Sequence, residues 1–167
     1  MAKTTSHSSH HVVTPHNRIK EKLDSSLSLG KVFDPRLLKE AESVIKHSRH
    51  DFLAKARADV RLMRECVTSL NTGEKAGTHI VHVMLDTAFE IKNLAGTYGF
   101  ILATAVAISL QRFIEHMGKV SADDKKILKA HVDALSSILA HGIEGQGGKE
   151  GRELLKSLDV LIRKYKK

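Results

Sequence analysis

The chain has 167 residues, two prolines, no tryptophan, one cysteine and a formal net charge of +8. That length supports one domain with tails, whose core needs neither disulfide nor metal, and the lone Cys66 excludes an internal disulfide and fits a reducing compartment. The longest apolar run, Phe100 to Leu110, is about 11 residues, too short to span a bilayer, and the polar N-terminus does not read as a secretory signal, so a cytoplasmic chain without membrane insertion is expected.

The positive charge sits at the two ends. Residues 1–33 hold five Lys/Arg against two acids, and residues 149–167 hold seven against three. The stretch 34–148 is nearly neutral, with 15 basic and 14 acidic residues. A nucleic-acid-binding core would carry a basic face with polar or aromatic base-readers, so the pattern argues against nucleic acid and for solvated basic tails.

Residues 1–16 are polar and carry His7, His10, His11 and His16; nothing there closes a defined metal site. Residues 17–32 place Ile19, Leu23, Leu27 and Leu29 at roughly helical spacing before Gly30. Residues 1–33 are therefore expected to be a disordered or loosely docked basic arm, with a short helix open as an alternative over 17–32. The domain proper is expected over 34–167.

Asp34-Pro35 is a helix start: the Asp side chain caps free amides and Pro fits the first helical position. Leu37, Leu38, Ala41, Val44 and Ile45 follow with helical period, then His47-Ser48-Arg49-His50 interrupts them. Phe52, Ala56, Val60, Met63, Val67 and Leu70 make a cleaner stripe, with Cys66 on it. The spacing predicts two helices or one bent helix up to Asn71-Thr72-Gly73, and a buried structural role for Cys66. His47 and His50 lack acidic or thiolate partners for a metal and read as a solvated turn.

A further helix is predicted from Glu74 or Thr78 to Tyr98, weakened at Gly77. Ile80, Val83, Met84, Leu85, Ala88, Ile91, Leu94 and Ala95 are its expected buried face. Gly99 stops it. Another runs from Phe100 to Met117, with Leu102, Val106, Leu110, Phe113 and Met117 in register. Ser121-Ala122-Asp123-Asp124 opens the next with a cap and first-turn acids, and Ile127, Leu128, Val132, Leu135, Ile138 and Leu139 form its stripe. The glycine-rich stretch Gly142 to Gly148 lacks the preceding strand and the Gly-Lys-Ser/Thr of a phosphate-binding loop. A last helix is predicted over 149–165. Helices joined by short loops, with no strand pattern and no repeat, predict an all-α, up-down antiparallel four-helix bundle with additional N- and C-terminal helices.

The stretch Phe89-Glu90-Ile91-Lys92-Asn93-Leu94-Ala95-Gly96-Thr97-Tyr98-Gly99 carries a resemblance. It is similar to the signature of histidine phosphotransfer (HPt) domains: His-x-Leu-Lys-Gly, five residues, then Gly. Ile91 matches the Leu, Lys92 the Lys and Gly99 the last Gly. Phe89 stands where the family has its phosphoaccepting His, and Asn93 where it has Gly. The resemblance covers roughly residues 50–140 and implies a four-helix HPt-like core there.

The chemistry of the altered positions follows from their atoms. A neutral imidazole can take a phosphoryl group, but Phe89 has no lone pair and cannot. Lys92, three residues on, shares the helix face and keeps the charge that would neutralise a phosphoryl group. Asn93 is bulkier than Gly. Two placements of Phe89 stay open: a core residue bordering the Ala88, Ile91, Leu94 and Ala95 stripe, or an exposed aromatic anchor. Gly96, Tyr98 and Gly99 read first as packing and helix-ending residues.

His82, seven residues before Phe89 and about 10 Å along the helix axis, is the first substitute nucleophile. His79 points elsewhere, and His116 is at the far end of the next helix. The resemblance implies a bacterial two-component, phosphorelay or chemotaxis-type adaptor. Its partner would be a receiver domain or a histidine kinase, docked over Phe89, Lys92, Asn93 and Gly96. Two alternatives stand beside it: an active phosphocarrier using His82, and a basic helical structural or oligomeric protein. No carboxylate pair, ligand cluster or spaced nucleophile and base suggests an enzyme, and neither metal nor cofactor is expected.

Overall fold

A computed structural model describes residues 34–73, 75 and 78–165. The arm expected over 1–33, and the helix start placed at Glu74 with Gly77 in its first turn, lie outside the described residues. Among the described residues the protein is all-α, with five helices: α1 Pro35–Ser69, α2 His79–Thr97, α3 Ile101–Glu115, α4 Ala122–His141 and α5 Gly148–Tyr165. A lone bridge between Lys75 and Lys119 is the nearest thing to a strand among them. None of the described helices is long and apolar enough to cross a membrane.

The chain divides into two compact units, 1–44 and 45–167. The described part of the first, 34–44, is the start of α1 and is exposed throughout, including Leu37, Leu38 and Val44. Asp34 caps it as its residue type dictates, with Oδ1 accepting from the Arg36 amide at 2.9 Å.

The second unit is a helical bundle. α2 packs on α3, α3 on α4, and α5 on both α3 and α4. The stripe Phe52, Ala56, Val60, Met63, Val67 and Leu70 is buried as its 3.6-residue period requires. Cys66 lies buried among them, and that burial pushes its thiol above the ordinary value.

Two open alternatives are resolved and one expectation, the burial of Leu94, needs correction. The chain between 35 and 69 is one helix, running through His47-Ser48-Arg49-His50 without interruption. Polar residues do not end a helix unless they redirect the backbone, and here they serve it: His47 reaches Asp51 one turn on at 3.5 Å, and Arg49 stacks on the Phe100 ring at 5.0 Å. Leu94 is exposed, because the buried face of α2 runs through Val81, Met84, Ala88, Ile91 and Ala95 at spacings of three and four. Leu94 falls one position off that seam. α2 starts at His79 with Thr78 as its cap residue, in keeping with the later of the two expected starts.

The glycine-rich stretch is a knot that fastens α5 to the turn between α2 and α3. The Gly145 amide donates to the Gly99 carbonyl at 2.7 Å, and the Leu102 amide donates to the Gly145 carbonyl at 2.8 Å. Gly147 and Gly151 both crowd the Leu102 side chain; a Cβ on Gly151 would sit 2.1 Å from the Gln146 carbonyl oxygen. Glycine at 147 also meets a positive φ of 67°.

Candidate functional site

The stretch that carries the resemblance lies on α2, on the turns between its buried seam and solvent. Ala88, Ile91 and Ala95 face the core, which fixes what their neighbours can do. Phe89 projects outward and is 49 % exposed; of the two placements the sequence left open, the exposed one is found. Three residues on, Lys92 folds back so that Nζ lies 4.2 Å from the centre of the Phe89 ring. The same Nζ donates to Gln111 Oε1 on α3 at 3.0 Å. Gln111 in turn donates to Glu115 Oε1 at 2.7 Å.

Lys92 is therefore held from two sides, by an aromatic face and by an amide oxygen. A cation over an aromatic ring at a surface is worth about 0.5–1 kcal/mol. The ammonium forms no ion pair with a described residue, so its charge stays available to an outside anion. Asn93 is exposed beside it. Gly96 is half-buried and faces α3: a Cβ there would meet Thr104 Oγ1 at 3.4 Å, an ordinary contact. Its role in the geometry is packing, alongside any contact it makes with a partner.

On the other flank, Glu90 pairs with Lys55 of α1, which also bonds Asp59 at 2.8 Å. The hydrogen bond from Lys55 to Asp59, then that to Glu90, holds the Lys55 ammonium above its ordinary value. This three-residue network fixes α2 against α1 just beside Phe89.

The histidines do not converge on this surface. His79 and His82 are exposed at the start of α2, and His116 caps α3 by reaching the Arg112 carbonyl through Nδ1 at 2.7 Å. No group of three or more metal-ligating side chains comes together among the described residues.

One buried polar pair was missed by the sequence reading. His131 of α4 has no exposed surface. Its Nδ1 bonds the Ile127 carbonyl at 2.8 Å, and its Nε2 lies 3.0 Å from Ser109 Oγ on α3. A carbonyl only accepts, so Nδ1 carries the hydrogen, and Ser109 donates to Nε2 in the neutral ring. Burial pushes the imidazole below its ordinary value, against a smaller upward pull from the Ile127 carbonyl. The signal was present: 131 lies four residues from both Ile127 and Leu135, on the apolar stripe.

No family model, no curated protein and no solved structure matches the chain.

Proposed function

We propose that the protein is a non-phosphorylatable, HPt-like binding module that docks a receiver domain or a histidine kinase over Phe89, Lys92, Asn93 and Gly96. On this reading it is a cytoplasmic adaptor of a bacterial two-component, phosphorelay or chemotaxis-type pathway. One observation carries it. At the position where the resemblance puts the phosphoaccepting histidine, an aromatic side chain stands in solvent with a lysine charge pinned to its face. Exposed aromatics with an adjacent cation are the residue types that anchor interfaces. A ring without a lone pair can bind a partner at that spot but cannot carry its phosphoryl group.

The test measures binding of receiver domains from the same cell, together with transfer of phosphate from a phosphorylated receiver. Phe89→Ala and Lys92→Ala should each weaken binding roughly tenfold or more, as interface hot spots do, with no phosphate on the protein. Unchanged binding in both variants removes the docking site. Acid-labile phosphate on wild type that disappears in His82→Ala replaces the adaptor with a carrier using that exposed histidine.

A further inference from the structure

Arginines fasten α1 to α4 and the loop after it. Arg49 pairs with Glu144. Arg57 donates through Nε and Nη2 to the Leu139 carbonyl, at 3.1 and 2.9 Å, and so occupies the open end of α4. Arg64 pairs with Asp133 at 2.9 Å, and Lys129 reaches the same carboxylate at 2.6 Å. Burial works to raise that carboxyl, but the bonds from Lys129 and Arg64 outweigh it and hold it below the usual range.

Arg61 breaks this series. It lies between Arg57 and Arg64 on the same ridge, four and three residues away. Yet it makes no ion pair or hydrogen bond with a described residue. Glu65, one turn further, does not pair with it. Like charges at these spacings repel along a helix. The flanking arginines are compensated by the carbonyl and by Asp133; Arg61 is not.

All three arginines line one cleft of about 250 Å³ between α1 and α4. Ser136 lines it from α4, and the buried Val60 and Leu139 make an apolar floor. A guanidinium has five N–H donors, so Arg57 and Arg64 retain donors beyond those their internal bonds use. Arg57, Arg61, Arg64 and the neighbouring Lys129 stand near two carboxylates, Asp133 and Glu65, neither of which lines the cleft. The surplus exceeds one charge, which suits a dianion better than a monocarboxylate, and the guanidinium fork matches the spacing of phosphate oxygens.

We propose that this cleft binds a phosphate dianion, free or as the terminal group of a small phosphate monoester. Arg61 is the principal donor, with Arg57, Arg64 and the Ser136 hydroxyl around it. Nothing in this assignment depends on the docking surface of α2.

The test is calorimetric titration of the full chain with sodium phosphate, then glycerol 3-phosphate, then acetate, at slightly alkaline pH and constant ionic strength. Saturable binding of one phosphate is expected, weakened roughly tenfold in Arg61→Gln and a few-fold in Ser136→Ala. The fold of Arg61→Gln should be unchanged by circular dichroism and melting temperature, since Arg61 has no partner in the described chain. Binding of the ion alone assigns the free anion; tighter binding of glycerol 3-phosphate assigns the monoester. Unchanged affinity in Arg61→Gln, an equal loss in the distant Lys164→Gln, acetate binding as tight as phosphate, or no heat beyond that of sodium chloride overturns the proposal.

Discussion

A single hydrogen atom matters most at Gly151. Its backbone is helical, so any residue could take its dihedral angles, and helix propensity alone favours alanine. Space forbids it: the Cβ would lie 2.1 Å from the Gln146 oxygen and 3.2 Å from Leu102 Cδ2. Gly151→Ala should destabilise the protein by about 1–3 kcal/mol or more, read as a lower urea midpoint; a midpoint at or above wild type refutes the steric reading. The sequence showed a run of glycines and showed that it was not a phosphate loop. It could not show that the run presses on a leucine some 45 residues earlier in the chain, because that contact is tertiary. Phe89 is the opposite case. Its neighbours Ala88 and Ile91 gave the seam, so its position at the seam's edge was legible, and only its side of that edge needed the structure.

At the scale of elements, the helix ends were legible wherever the local chemistry was self-contained. Ser121 and Asp124 are the clearest instance. Ser121 Oγ accepts from the Asp124 amide at 3.0 Å, while Asp124 Oδ2 accepts from the Ser121 amide at 2.9 Å. Ser121→Ala removes the first bond and should cost about 0.5–2 kcal/mol, measured by chemical denaturation; a loss below that range means the Asp124 half of the box carries the cap. The sequence left α1 open as two helices or one bent helix, and the structure has one. Four polar residues in a row kept a break open, because the partners of Arg49, Phe100 and Glu144, are distant in sequence. The same holds for the bonds that Arg57 and Arg64 make to α4. Such residues look like ordinary solvated charges until the helix opposite is in place.

For the molecule as a whole, His131 couples stability to pH. The ring is held neutral in the folded state, so its folded pKa lies below the value of about 6.5 that it regains on unfolding. Below pH 6.5 the unfolded chain therefore binds more protons than the folded one. The contribution is fully present above pH 6.5 and is lost as pH falls toward the folded value. The limiting slope for one proton is about 1.4 kcal/mol per pH unit. Unfolding free energies between pH 7.5 and 5.5 should fall more steeply for wild type than for His131→Gln; parallel curves would show that the ring titrates alike in both states. The all-α class and the order of helices were readable from period and glycine placement. The size of this coupling was not, because it depends on how completely the assembled core buries the His131 ring.

The bond from the Leu102 amide to Gly145 acquires a meaning in time. The first amides of any helix have no partner within it, and Phe100, at the cap position of α3, offers no side-chain bond. The Gly145 carbonyl fills that place from 43 residues downstream. A ribosome that has released residues up to Glu115 has synthesised all of α3 without the group that closes its first turn. The most apolar helix of the bundle is thus completed only when the loop before α5 has emerged, and synthesis from one end to the other cannot finish it in the order in which it is made.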